Sequence, residues 1–501
     1  MTLPLPLLLL AVFFACKFSW LSHPYFWDEA WSYGHAIHQF AQQRLSISPA
    51  ALDPELSRGH PLLFYASAAA WLQITDNQLV YGHLFALLVS LLTAGAVWHI
   101  ARRLSGEWAA GAVLAALLVS QMFYALSTRL YPEVMVALFS MLALWSFFQW
   151  QTGVAHLRGV PHFRGVPHFR GVPHFAALTV LWCGLLLFTK ESGVATVAAL
   201  FGFALWRHRG LGRAFWKDAT VLAVPVLAVL AWFYWQYTVR GWWLFPEHTG
   251  MMVRDAGKVV GNFFQQFWTL VFNDGRIVLL VSALLAVGWQ RWRRVAVRPE
   301  LLQFIGLMWL FIAAYLAFTA MNFQTERYLV VPLVAFVLTA VLWVWEVFAQ
   351  QPAFAFTRHR LGEGREAPAG RPYVRAALLA AYVVSQLFLM KFPLRENETS
   401  TGYLPMLRTW QAGVRWCEQQ QMQQDTAWSF FLMRYYMTDP HLGYLSVNNP
   451  FTFTTDSTQA RYFLFDRAES GVLVPAFEEP LRLRLLHTAE EGKCRVWVYE
   501  R

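Results

Sequence analysis

The chain has 501 residues, 57% of them hydrophobic and only 14% charged, where an ordinary soluble protein has about a quarter charged. That balance excludes a soluble globular enzyme and points to a polytopic membrane protein. A net charge of +10 would suggest nucleic acid in a soluble chain, but here the basic residues sit in short connections between apolar segments, where they set orientation.

Thr2 to Leu21 is apolar and long enough to cross a bilayer core of about 30 Å at roughly 1.5 Å per residue. It shows no basic leader and no small-residue cleavage site, so it reads as an uncleaved first span. Residues 23–79 form a long loop opening on His23–Tyr33 (HPYFWDEAWSY), where Asp28 and Glu29 stand side by side among aromatics. Such a pair beside a span is either a solvated acidic loop or a reactive site at the water–lipid boundary. Pro61 to Ile74 is apolar but too short to span, which predicts an interfacial or re-entrant helix.

Further spans are predicted near 81–101, 108–126, 132–150, 176–189, 192–206, 219–238, 277–290, 301–321, 329–348 and 375–392, about eleven with the first. Arginines crowd every second connection, among them Arg102 and Arg103, Arg207, Arg209 and Arg213, and Arg291, Arg293 and Arg294. By the positive-inside rule the N-terminus is cytoplasmic, and the first loop, the 239–276 loop and the tail face outward.

RGVPHF occurs three times in tandem over residues 158–175. His162, His168 and His174 recur every six residues, which matches no helical face, and the intervening prolines oppose a helix. The repeat reads as a tandem insertion in a cytoplasmic loop rather than a metal site. Residues 351–375, rich in Gly, Pro and Arg, read as a flexible connection. The tail, 395–501, carries charge throughout, with a helix pattern over Leu404–Gln421 and strand-like runs at Ala427–Tyr436, Ala460–Asp466 and Cys494–Tyr499. A small α/β domain fits, with a Cys417–Cys494 disulfide open to it if the outside is oxidising. Cys16 and Cys183 lie in apolar runs, and the cysteines show no metal-ligand spacing.

The chemistry candidates are charges at the outer ends of spans: Arg129, Tyr131 and Glu133; Lys190 and Glu191; Arg327 and Tyr328; and Arg58 with His60 in the first loop. Each alone has an ordinary reading, since interfacial cations snorkel and a Lys–Glu pair satisfies itself. Together they predict cations gathered on the outer side around Asp28 and Glu29. A reaction on a lipid-anchored phosphodiester needs those parts: an apolar groove for the tail, cations for the phosphate and a carboxylate base for the acceptor.

Over residues 5–395 the sequence resembles the membrane-embedded GT-C glycosyltransferases, in particular bacterial relatives of protein O-mannosyltransferases and of lipid A aminoarabinose transferases. The resemblance rests on Asp28-Glu29, Gly59-His60-Pro61-Leu62-Leu63, Arg102-Arg103-Leu104-Ser105-Gly106, Arg129 with Glu133, Thr189-Lys190-Glu191-Ser192, and Arg327-Tyr328 with Pro332. The family often has a second proline where Leu62 stands and an aspartate where Glu133 stands. The resemblance implies an all-α polytopic transferase domain over 1–394, its first outer loop carrying the active site, followed by a soluble extracytoplasmic domain over 395–501, in a bacterial inner membrane.

It also implies a sugar moved, with inversion, from a polyprenyl-phosphate donor to a lipid, glycan or protein acceptor. Asp28 would be the base and Glu29 a positioning or acceptor-binding group. Lys190, Arg327 and Arg129 would bind the donor phosphate, supported by His60, Tyr131, Glu133, Glu191 and Tyr328. Membrane lipids are expected partners and nucleic acid is not; no cofactor is implied, and a divalent cation stays open. A transporter or flippase of envelope precursors is the competing class. It calls for ionisable groups mid-span and matched broken helices, whereas these charges sit at span ends.

Overall fold

The computed structural model describes residues 4–152, 173–322, 324–349, 372–446, 449–467 and 481–501. Most of the RGVPHF repeat and of the 351–375 connection lies outside them; His174 falls in the first turn of the helix Pro173–Thr189.

Each of the eleven predicted segments is helical, with 108–126 broken at Ser120 into Glu107–Val119 and Gln121–Leu126. Only seven helices among the described residues, however, are long and apolar enough to cross a membrane: Leu5–Ser22, Leu79–Ser105, Pro132–Thr152, Arg213–Arg240, Pro299–Ala320, Glu326–Ala349 and Tyr373–Lys391. The shortfall from eleven has local causes. The helix Glu107–Val119 stops where Ser120 turns extended, and thirteen residues reach only about 20 Å at the α-helical rise. Pro173–Thr189 and Val194–His208 are separated by an extended Lys190 and a single 3₁₀ turn, Glu191–Gly193.

The 239–276 stretch, expected as loop, contains a helix at Ala256–Phe272. Its apolar residues Val260, Phe264, Phe267, Trp268 and Val271 recur on one helical face and alternate with Lys258, Gly261, Asn262, Gln265 and Gln266, so a linear hydropathy reading averages the two faces and passes over it. With Ile277–Arg293 it forms a pair bent by 99°. The corner is built from Asp274 and Gly275 at positive φ and from Arg276, whose guanidinium donates to the carbonyls of Leu270 and Thr269, each at 2.7 Å, and to Asp274 at 3.1 Å. These are carbonyls left without partners by the ending helix, and a buried cation satisfies them.

Contacts divide the chain into two compact units. One comprises residues 1–13, 89–124 and 132–390 and is helical. Pro132–Thr152 and Val330–Ala349 are apolar around their full circumference and are its most enclosed helices, as a helix without a polar face must be. The other unit comprises residues 14–88, 125–131 and 391–501. It contains the predicted short helix of the first loop, Leu63–Thr75, and a five-stranded sheet.

The strands are β1 (Thr426–Ser429), β2 (Thr452–Phe453), β3 (Tyr462–Asp466), β4 (Arg484–Glu491) and β5 (Cys494–Glu500), in the order β2-β1-β3-β5-β4. β1 runs parallel to β2 and β3, while β5 is antiparallel to β3 and β4. The helix Leu404–Gln419 packs on β5 so closely that a Cβ on Gly413 would come within 2.8 Å of Val496. The strand expected over Ala427–Tyr436 ends at Ser429, and Phe431–Thr438 is a helix. Its buried residues, Leu432, Met433, Tyr436 and Met437, recur at helical spacing. The disulfide does not form: Cys417, on the helix, and Cys494, opening β5, are both free thiols. Burial pushes them up to about 12 and about 11 respectively.

Candidate active site

The stretch carrying Asp28 leaves the first helix through a 3₁₀ turn, Ser19–Ser22, and runs extended from His23. Trp27 then adopts φ 55°, a left-handed conformation that a bulky residue holds only where its surroundings impose it. Those surroundings come from the tail. Trp27 N–H donates to Tyr436 Oη at 3.3 Å, Tyr25 N–H to Leu442 O at 3.0 Å, and Tyr444 Oη to Tyr25 O at 2.8 Å. Trp410 stacks on Phe26 and Trp27 at 5.3 and 6.3 Å. From Glu29 to Gly34 the chain is a π-helix, an uncommon turn that concentrates at functional sites.

Glu29 is 0% exposed, and four donors converge on its carboxylate. Oε1 accepts from Leu130 N–H at 2.6 Å and His83 Nε2 at 3.0 Å, and Oε2 from Arg129 Nη1 at 2.6 Å and Phe26 N–H at 3.1 Å. That fills the acceptor capacity of a carboxylate. Burial alone would raise the Glu29 carboxyl, but Arg129, His83 and the Leu130 amide outweigh it and hold it below its usual value. On its other side His83 Nδ1 lies 3.1 Å from the Leu21 carbonyl oxygen. Arg129 is 2% exposed, its guanidinium 3.9 Å from the Tyr403 ring centre and 5.1 Å from that of Phe26. Burial works against its charge, and Tyr403 and Glu29 more than restore it.

Asp28 is half-buried and accepts from Trp31 Nε1 at 3.0 Å. Tyr131 Oη lies 3.2 Å from Phe26 O and 2.7 Å from Glu398 Oε2. His60 is buried just before the short helix, its N–H donating to Ser57 O at 3.0 Å. The remaining predicted groups lie in the helical unit. Lys190 Nζ is 2.8 Å and Arg327 Nε 3.5 Å from the same oxygen of Glu133. Tyr328 packs against both cations, at 4.4 Å from Lys190 Nζ and 5.4 Å from Arg327 Cζ. Lys190 is extended between two helices, Glu191 opens the following 3₁₀ turn, and Arg327 sits in another such turn, Glu326–Leu329. The predicted charges thus assemble as two sets: Glu29 with Arg129, and Glu133 with Lys190 and Arg327. Among the described residues no three His, Cys, Asp or Glu side chains form a metal-binding group.

Sequence reasoning passes over His83, whose signal was a lone ionisable residue near the start of an apolar helix. It also passes over the tail residues Tyr403, Trp410, Tyr436 and Tyr444, which carry no motif.

Residues 59–153 match the family model of the dolichyl-phosphate-mannose-protein mannosyltransferases. No curated protein matches the chain by sequence. Among solved structures the chain is similar to ArnT from Cupriavidus metallidurans, both in the apo state and bound to undecaprenyl phosphate. Each comparison gives a TM-score of 0.57 at 14% identity, over 98% of this chain and 97% of that one. It is also similar to the apo oligosaccharyltransferase of Archaeoglobus fulgidus, at a TM-score of 0.51 and 11% identity, over 92% of this chain and 69% of the other. The chain is therefore a multi-pass membrane protein with an ArnT-like GT-C fold, similar over residues 59–153 to the mannosyltransferases.

Proposed function

We propose that the chain is an integral membrane glycosyltransferase that moves a sugar from a polyprenyl-phosphate donor to an acceptor hydroxyl on the outer side of the membrane. The observation that carries this reading is the pair of cations, Lys190 and Arg327, brought to one oxygen of Glu133 in a chain of ArnT-like fold. ArnT itself is recorded with undecaprenyl phosphate bound, and the matched family is named for a dolichyl-phosphate sugar. The transferase region is 1–394, the tail 395–501 faces outward, and the N-terminus is cytoplasmic, in a bacterial inner membrane.

In this mechanism Asp28 takes the proton from the acceptor hydroxyl as its oxygen attacks the anomeric carbon. The bond from that carbon to the phosphate oxygen breaks on the opposite face, so configuration inverts and polyprenyl phosphate leaves. The leaving phosphate gains one negative charge, and Lys190 and Arg327 neutralise it. Glu29, its acceptor sites filled by four donors, positions the Asp28 turn. Arg129, as the main cationic partner of Glu29, shares that task. Tyr328 fixes the two phosphate-binding cations, and Tyr131 and His60 brace the first loop.

Proteoliposomes holding the purified chain and an undecaprenyl-phosphate sugar test the assignment. Asp28→Asn keeps size and hydrogen bonding but cannot take the proton, so transfer falls at least about a hundredfold with donor binding intact. Lys190→Ala weakens donor binding, since a charge-assisted contact contributes roughly 1.5–3 kcal/mol. Transfer near the wild-type rate in Asp28→Asn sinks the reading. Mass spectrometry of envelope lipids, glycans and proteins from cells with and without the chain identifies the sugar and acceptor.

A further inference from the structure

The helix Phe431–Thr438 buries Leu432, Met433, Tyr436 and Met437 and turns Phe431, Arg434 and Tyr435 outward. Phe431 is 46% exposed. A single exposed aromatic is ordinary on a protein surface, but a contiguous group of aromatics rimmed by polar side chains marks a binding surface.

The neighbours of Phe431 complete such a group. Phe431 meets Trp31 in a T-shaped contact at 4.7 Å, and Tyr435 lies 5.3 Å from Phe431 and 6.3 Å from Trp31. Trp31 is the residue whose indole N–H holds Asp28 Oδ1 at 3.0 Å. Polar groups stand around these rings: the Arg58 guanidinium is 5.1 Å from the Trp31 ring centre, and the His35 ring lies 5.9 Å from Tyr435, with Nδ1 2.5 Å from Asp439. Three aromatic rings in sequence, bordered by hydrogen-bonding groups and ending at a carboxylate, suit a sugar ring. A pyranose lays a face of C–H groups on an aromatic surface while its hydroxyls reach polar groups at the edge.

We propose that Phe431, Tyr435 and Trp31 form a saccharide-binding wall beside Asp28, so that the acceptor hydroxyl presented to that carboxylate belongs to a sugar ring of a glycan or glycolipid. This deepens the transferase reading and rests on Asp28 as its base. Trp31 has two tasks in it, packing the ring and holding the carboxylate, whereas Phe431 and Tyr435 act on the acceptor alone.

Saturation-transfer NMR on the full chain in phosphatidylcholine nanodiscs tests the wall without requiring turnover. The probes are maltose, N,N′-diacetylchitobiose and a serine-containing pentapeptide. The expected result is saturation of saccharide ring protons, with affinity reduced about three- to tenfold by Phe431→Ala or Tyr435→Ala, as for loss of one ring contact, and retained in Phe431→Trp. Phe431→Ala gives up the ring contacts with Trp31 and Tyr435, so its thermal unfolding falls only slightly and the fold is retained. Asp28→Asn keeps saccharide binding while losing transfer. Saccharide affinity unchanged by both alanine substitutions, as when the rings instead sit against lipid, overturns the proposal, as does saturation of the peptide alone. Saccharide binding that depends on Phe431 in a chain that transfers no sugar leaves the wall standing and removes the transferase reading.

Discussion

Asp28 and Glu29 are adjacent carboxylates in very different surroundings. Glu29 is enclosed and saturated by donors, while Asp28 is half-buried with Trp31 Nε1 on one oxygen. Glu29→Gln would place an amide NH₂ where an oxygen now accepts two hydrogen bonds and would leave the buried Arg129 without its counter-charge. Breaking such a buried pair costs about 3–5 kcal/mol, so Glu29→Gln lowers the melting temperature in detergent while Asp28→Asn does not. A Glu29→Gln chain with unchanged melting and abolished transfer would place Glu29 in the chemistry instead.

Two histidines of the same unit make its stability depend on pH. Burial holds His23 and His38 at about 4, against 6.5 for a free imidazole. Between those values the unfolded chain binds protons that the folded chain excludes, so stability is full above about pH 6.5 and falls as pH drops toward 4, at up to roughly 1.4 kcal/mol per pH unit for each histidine. Melting temperatures measured from pH 7.5 to 5 should decline, and His38→Asn should flatten the slope. An identical slope in that variant assigns the effect to other groups.

At the scale of elements, the π-helix Glu29–Gly34 is the fragile part. A Cβ on Gly34 would lie 2.7 Å from the Glu29 carbonyl oxygen and 2.7 Å from the Tyr25 ring, whereas one on Gly184 would meet nothing within 4 Å. Gly34→Ala is expected to cost about 1–3 kcal/mol through overpacking and to reduce transfer by displacing the turn that carries Asp28. Gly184→Ala, within the helix Pro173–Thr189, is expected to be neutral or slightly stabilising. Equal thermal unfolding of the two variants would show that the π-turn tolerates a side chain.

Across the whole molecule, residues 14–88 and 391–501 belong to one compact unit, so Ser46 and Ser457 must lie on the same side of the membrane. An even number of crossings therefore separates them. The ten helices that follow the first among the predicted spans meet that condition; the long helices plus the bent pair, seven after the first, do not. The six long helices after the first meet it if the bent pair is a re-entrant loop; if the pair crosses, a short helix completes a further crossing. Cysteines at Ser46 and Ser457 should both react with an impermeant thiol reagent added from outside, and one at Gly212, between two arginine-bearing helix ends, should not. Labelling of only one of the first two would contradict the shared unit.

The sequence by itself determined what depends on composition and local order. The long apolar segments and their arginine-rich connections dictate helices in a membrane, because a continuous apolar segment satisfies its own backbone there only as a helix, and each predicted segment is helical. The span-end charges, Asp28-Glu29, Arg129, Lys190 and Arg327, were legible for the same reason: charge at a membrane boundary needs a cause. Tertiary structure alone decided who partners whom. Glu29 takes Arg129 and His83 while Glu133 takes Lys190 and Arg327, pairings formed across 54 to 101 residues for Glu29 that no local pattern encodes. The helix Ala256–Phe272 was hidden because it is amphipathic, and its polar face lowers the mean hydropathy of the segment. The enclosure of Glu29 was hidden because its donors, from Phe26, His83, Arg129 and Leu130, lie on separate stretches of the chain that only tertiary structure brings together.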